Sequence, residues 1–199
     1  MVSAKLVDYY FSPASPWTYL GHGRFTAIAR RHGATVSVKP VDYGVIFPQS
    51  GGLPLGKRAP QRQAYRLAEL ARWKQHLGVP LTLEPKFFPV DATRAAHVIV
   101  AAAPLGVDAQ LRLAGALMRA LWAEEKNLAD EAQLEAIARA AGFDAAALLD
   151  RAAQAKESYE AYTREALARG VFGAPTYVYR DELFWGQDRL EFLDRAMAS

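Results

Sequence analysis

The chain has 199 residues, 51% hydrophobic and 23% charged, which excludes intrinsic disorder and fits one large domain or a small domain carrying an insertion. Its 24 Lys and Arg against 21 Asp and Glu leave a formal charge of +3, scattered rather than gathered, which argues against nucleic acid as the main partner. It contains no cysteine, so it has no disulfide, no thiolate metal site and no redox-active thiol of its own.

Lys5 to Phe11 is short, aromatic and β-prone, and predicts a strand. Two prolines in Ser12-Pro13-Ala14-Ser15-Pro16 end it. Pro16 suits the first position of a helix with Ser15 as its N-cap, and Leu20, Phe25, Ile28 and Ala29 carry that helix to His32-Gly33. Ala34 to Val41 predicts a second strand. A strand–helix–strand unit of this length implies a parallel pair joined by a right-handed crossover.

Phe47 to Pro60, rich in Gly and Pro, reads as a loop long enough to serve as a functional rim. Helices are expected over Arg62–Leu77, Thr93–Ala103, Ala109–Glu125, Glu131–Ala141 and Ala145–Arg169. After the Gly-rich turn Gly170 to Pro175, strands are expected over Thr176–Tyr179 and Glu182–Trp185, with Arg180-Asp181 at hairpin spacing. A last helix covers Gln187 to Ala198. The order is therefore β-α-β, a helical insert, then β-β-α. This is an α/β thioredoxin-like fold with a large all-helical domain spliced between its halves. Residues 1–42 and 170–199 would form the thioredoxin-like domain and 43–169 the insertion.

Apolar stretches such as His97 to Leu105 fall well short of the roughly 20 residues that span a bilayer. Met1 to Val7 lacks the basic n-region and apolar core of a secretory signal. The histidines at 22, 32, 76 and 97 are not paired at metal-ligand spacing. The expectation is a soluble, cytoplasmic protein with no metal and no membrane or nucleic-acid partner.

In open α/β folds ligands gather at the carboxyl ends of strands, where helix N-termini point. Here that place is Ser12 to Trp17. A helix N-terminus favours an anion, a thiolate included. With serine at position 15, such a sulfur would have to come from outside the chain. The plain alternatives are that Ser15 is only an N-cap, Pro175 a loop proline and Asp188 an acid in a first helical turn. Their joint appearance in thioredoxin order favours a site.

At these residues a resemblance appears. Asp8-Tyr9-Tyr10-Phe11 followed by Ser15-Pro16-Trp17-Thr18-Tyr19-Leu20-Gly21 is similar to the opening motif of the 2-hydroxychromene-2-carboxylate isomerase family. That family is related to kappa-class glutathione transferases and to DsbA-type oxidoreductases. Gly170 to Thr176 and Phe184-Trp185-Gly186-Gln187-Asp188-Arg189-Leu190 resemble its closing motif. The resemblance implies that the Ser15 hydroxyl donates to the sulfur of glutathione. It further implies that Pro175 is cis and that the Ala174 backbone pairs with the cysteinyl part. Gln187 and Asp188 would hold the γ-glutamyl end, and Arg62 falls on the register of a basic residue that contacts glutathione. The run Gly51-Gly52-Leu53-Pro54 lacks the Asn that some relatives carry there.

The implied activity is glutathione-dependent cis–trans isomerisation of a small aromatic α-keto acid, by addition and elimination of a borrowed thiolate at a conjugated enone. Tyr43, Lys57 and Arg58 are candidates for the substrate carboxylate. A kappa-like transferase and a non-catalytic peptide-binding module remain as other readings, and a homodimer is the family expectation. A disulfide oxidoreductase is excluded by the absence of cysteine.

Overall fold

A computed structural model describes residues 5–198. Strand β1 (Leu6–Phe11) lies at the centre of the sheet, paired in parallel with β2 (Thr35–Pro40) through Tyr9↔Val38 and antiparallel with β3 (Thr176–Tyr179) through Tyr9↔Tyr177. Strand β4 (Glu182–Trp185) pairs antiparallel with β3, giving the order β2-β1-β3-β4. The hairpin turn is Arg180-Asp181, both at positive φ, as tight antiparallel turns require. The expected βαβ and ββ units are both present.

Alternation assigns the two faces of the sheet. Val7, Tyr9 and Phe11 of β1, with Val36, Val38 and Tyr177, point to the main core. There helix α1 (Pro16–Arg31) lays down Leu20 and Phe25, and α9 (Leu190–Ala198) adds Leu193 and Met197. The Tyr9 ring stacks 5.3 Å from that of Tyr177 and lies 4.6 Å from that of Phe25. Aromatic pairs of this kind add about 0.5–1.5 kcal/mol each beyond area burial. The opposite face, through Tyr10 and Val178, packs on Val41, Tyr43, Ile46 and Ala166.

The helical segment supplies α2 (Tyr43–Ser50), α3 (Pro60–Leu77), α4 (Thr93–Ala101), α5 (Val107–Trp122), α6 (Glu131–Ala140), α7 (Ala145–Ala152) and α8 (Lys156–Ala168). Its core, including Leu113, Leu117 and Trp122, is continuous with the sheet-face core. Buried His22 ties α1 to α5. Its Nε2 lies 2.9 Å from the Leu111 carbonyl and its Nδ1 3.2 Å from the Tyr9 hydroxyl. The carbonyl can only accept, so Nε2 carries the proton and Nδ1 accepts from Tyr9.

Several expectations need correction. The loop expected over Phe47 to Pro60 begins inside a helix. Asp42 caps α2 by accepting from the Gly44 N–H at 2.7 Å, and Gly51 ends it in the left-handed region at φ 73°. Pro48 lies inside this helix. It removes one N–H, a loss that burial of Tyr43 and Ile46 offsets. The single helix expected over Ala145–Arg169 is broken between α7 and α8 at Ala153-Gln154-Ala155. No Gly or Pro marks the break. Leu148 and Leu149 of α7 join the main core, whereas Ala166 of α8 joins the cluster on the far face of the sheet. Helix α5 starts at Val107, earlier than expected, and the last helix opens with a 3-10 turn over Gln187–Arg189.

Candidate active site

Helix α1 begins where β1 ends. Ser15 has extended backbone angles (φ −82°, ψ 122°), and its Oγ accepts from the Thr18 N–H at 3.2 Å. Pro16 occupies the first helical turn, and Arg30 and Arg31 sit in the last, where they complement the dipole. The Ser15 side chain is thus an N-cap, but the cap uses only a lone pair. The hydroxyl proton remains free to donate to a further acceptor. The plain and the functional readings of Ser15 are therefore compatible.

The turn before β3 faces the same region. The Ala174–Pro175 peptide is cis, as the resemblance implies. Among the described residues, neither the Ala174 N–H nor its C=O is engaged in a hydrogen bond. The Pro175 carbonyl accepts from the Gly186 N–H at 2.8 Å and so ties this turn to the end of β4.

Gln187 and Asp188 follow at once. Gln187 is buried, and its side-chain Oε1 accepts from Arg24 Nη2 at 2.7 Å; the same guanidinium donates to the Gln187 carbonyl. This leaves the two amide protons of Gln187 as its free donors. Asp188 is exposed, paired through Oδ2 with Arg189 at 2.7 Å. The close approach of this turn to α1 requires glycine at position 21, since a Cβ there would lie 2.7 Å from Gln187 Cβ.

A two-lobed cleft joins these elements. One lobe, about 640 Å³, contains Ser15, Tyr43, Phe47, Phe88 and Phe172. The other, about 700 Å³, contains Trp73, Gln187 and Asp188. Trp17, Arg58, Arg62, Arg66, Ala174 and Trp185 line both. Ser15, Ala174, Arg62, Gln187 and Asp188 are thereby assembled along one continuous groove, although 172 positions of sequence separate Ser15 from Gln187 (187 − 15). Trp185 closes over Gly173, where a Cβ would fall 2.2 Å from its Nε1, and its ring lies 4.8 Å from that of Phe172.

The three carboxylate candidates separate. Tyr43 lines the cleft, but its hydroxyl donates to the Gly173 carbonyl at 2.8 Å, and burial pushes its pKa well above the ordinary range. It is a neutral phenol whose proton is already committed. Lys57 is exposed on the 3-10 turn Leu55–Lys57 and does not line the cleft. Arg58 faces both lobes. Its Nε donates to the Leu53 carbonyl at 2.8 Å, and burial, then the neighbouring Arg62, lower its pKa.

Sequence reasoning missed Arg24 and Arg66. Arg24 looks like any exposed helix cation, and only the fold places Gln187 beside it. Arg66 carried a signal, because it stands four positions after Arg62 and so on the same face of α3.

Comparison with known proteins extends this geometry. Residues 6–198 match the family model described as a DSBA-like thioredoxin domain. A curated 2-hydroxychromene-2-carboxylate isomerase from Sphingobium xenophagum is 31% identical over 193 residues, 96% of each chain. The glutathione S-transferase kappa 2 of Caenorhabditis elegans is 27% identical, covering 96% of this chain and 90% of its own. A solved 2-hydroxychromene-2-carboxylate isomerase superposes with a TM-score of 0.84 at 28% identity, over 97% of this chain and 94% of the other. The chain has the DsbA-like thioredoxin fold, and it belongs to the 2-hydroxychromene-2-carboxylate isomerase family.

Proposed function

We propose that the protein is a glutathione-dependent isomerase that interconverts 2-hydroxychromene-2-carboxylate and trans-o-hydroxybenzylidenepyruvate, a step in the breakdown of naphthalene-type aromatic compounds. The observation that carries this reading is the free proton of the Ser15 hydroxyl at the N-terminus of α1, in a cleft shared with Ala174 and in a chain without cysteine.

The residues present fit glutathione. Ala174 offers an unengaged backbone N–H and C=O for an extended peptide. Gln187 offers amide protons and Asp188 an exposed carboxylate, suited to the carboxylate and ammonium of a γ-glutamyl group. Arg62 stands across the groove for a terminal carboxylate. When bound, glutathione would supply the thiolate that adds to the conjugated enone and leaves again, so that the double bond passes through a stage that rotates.

The chain's own groups do the rest. The Ser15 hydroxyl and the positive end of α1 hold the sulfur anionic near neutral pH, against a free thiol pKa of about 8.5. Arg58, a cation lining the cleft, is available to stabilise the charge that develops on the keto oxygen. Phe47, Phe88 and Phe172 enclose the aromatic ring. Residues 1–42 and 170–199 thus provide most of the thiol side of the site, with Arg62 added from the insertion, and the inserted residues 43–169 provide most of the substrate side. The family resemblance further supports a cytoplasmic homodimer, and sedimentation of the purified protein tests its oligomeric state.

The kappa-type transferase reading shares these thiol-side residues and is favoured only by the similarity to the nematode kappa protein. The deciding experiment follows the absorbance of the benzylidenepyruvate with and without glutathione. Conversion that requires glutathione is the expected result, and conversion without it rejects the reading. Glutathione at a hundred times its Kd should also stabilise the fold by about 2.7 kcal/mol, which for this chain length raises Tm by about 5–11 °C.

A further inference from the structure

Helix α3 turns a file of three cations, Arg58 just before it and then Arg62 and Arg66, toward the cleft. Among the described residues none of the three is in an ion pair; Glu84 acts on Arg66 only at longer range, and Glu69 is taken by Arg72. Arg66 is the deepest-set of the three. Its Nη2 is buried without a hydrogen-bond partner. Its guanidinium carbon stands 5.1 Å from the Phe88 ring centroid and 5.9 Å from that of Trp122.

A desolvated guanidinium without an anion is a costly arrangement. The cation–π contacts offset part of that cost, but they leave the N–H edge unsatisfied. Burial first, then the repulsion of Arg58, lowers the Arg66 pKa to about 10, so it remains a cation at neutral pH. An aromatic surface beneath a half-satisfied guanidinium is complementary to one kind of ligand, a flat conjugated system bearing a carboxylate.

We propose that Arg66 is the specificity-determining residue of the cleft, its guanidinium, set between the cleft and the Phe88 ring, clamping the carboxylate of a planar aromatic 2-oxo acid whose conjugated system lies along Phe88. Arg62 is then left to glutathione and Arg58 to the keto oxygen. Lys57 and Tyr43 have no part in carboxylate binding. The assignment rests on the isomerase reading for the identity of the substrate, but the anion site stands on the cleft alone.

The test uses the full chain and two probes, o-hydroxycinnamate and its neutral amide, titrated without glutathione and followed by tryptophan fluorescence. The wild-type protein should bind the acid and discriminate against the amide. Arg66→Gln should lose about 10- to 150-fold of the acid affinity, the range expected for one charge-assisted hydrogen bond, and lose the discrimination with it. Arg66→Lys should recover part of both. In turnover of the benzylidenepyruvate, Arg66→Gln should raise KM far more than it lowers kcat, and the glutathione-induced shift in Tm should be unchanged.

Equal binding of acid and amide by the wild-type protein overturns the proposal, as does discrimination retained in Arg66→Gln. Should Arg66→Gln fail to fold, wild-type discrimination weakened in Arg66→Lys still supports it, and Arg66→Lys discriminating as well as wild type overturns it. If wild type discriminates but glutathione neither stabilises it nor supports turnover, the isomerase reading falls and the carboxylate clamp stands.

Discussion

Replacing Ser15 by alanine removes two hydrogen bonds of different character, and their sizes can be separated. The first is the cap to the Thr18 N–H at 3.2 Å. Its loss should cost about 1 kcal/mol of stability, within a range of about 0.5–2, and lower Tm by about 2–4 °C in a chain of this length. The second is the proposed donation from the hydroxyl to the glutathione thiolate. A hydrogen bond to a charged group contributes about 1.5–3 kcal/mol, equivalent to raising the bound thiol pKa by about 1–2 units.

The α1 N-terminus and the Ala174 backbone remain in the variant, so glutathione should still bind. Turnover at pH 7 should fall by about 10- to 100-fold and return in part toward pH 9 as the thiol ionises. The assay is the pH–rate profile of benzylidenepyruvate conversion, with glutathione affinity measured in parallel by calorimetry. Unchanged turnover from pH 6 to 9, accompanied by the expected small drop in Tm, would refute the catalytic role and leave Ser15 a helix cap alone.

Four further outcomes follow from the same geometry. Ser15→Cys, exposed to glutathione disulfide, should exchange to a mixed disulfide with release of one glutathione, seen by mass spectrometry and reversed by dithiothreitol; a chain that stays unmodified counts against a sulfur site at residue 15. Asp188→Asn should weaken glutathione binding by roughly 10- to 150-fold while hardly moving Tm, because its pair with Arg189 is a surface one; unchanged affinity by calorimetry removes Asp188 from the site. Gly21→Ala should drive a methyl into Gln187 Cβ, costing about 1–3 kcal/mol and lowering glutathione affinity by displacing the Gln187 turn; a variant as stable and as tight-binding as wild type shows that the turn moves freely. Finally, burial lowers the His22 pKa to about 4, so between about pH 6.5 and 4 the unfolded chain takes up a proton that the folded chain refuses. That part of the stability is full above pH 6.5 and falls by up to about 3 kcal/mol as pH drops to 4. Urea midpoints measured across this window should show a steeper decline for wild type than for His22→Gln, and parallel slopes would contradict a neutral buried imidazole.

What the sequence determined by itself was local or periodic. The strands at Leu6–Phe11 and Thr176–Tyr179, the Ser15-Pro16 helix start and the hairpin at Arg180-Asp181 each rest on signals a few residues long. Alternation and capping therefore specify them before any packing occurs. The two terminal motifs also carried enough to identify the family.

Only the tertiary structure decided where the helices of the middle segment begin and break. Burial of Tyr43 and Ile46 outweighs the disruptive Pro48, and packing of α7 on the neighbouring helices α4 and α6 but of α8 on the sheet divides Ala145–Arg169 at residues that favour helix. The proposed site was legible where a residue's proposed role depends on its own position on a helix end or turn, as for Ser15, Ala174 and Asp188. It was illegible where a role depends on a neighbour remote in sequence. Arg24 meets Gln187 across 163 positions, Tyr43 spends its hydroxyl on Gly173, and Arg66 is distinguished from other helix arginines only by the aromatic bed and the missing counter-charge that the fold gives it. Desolvation and pairing are properties of the assembled cleft, and no local pattern of residues encodes them.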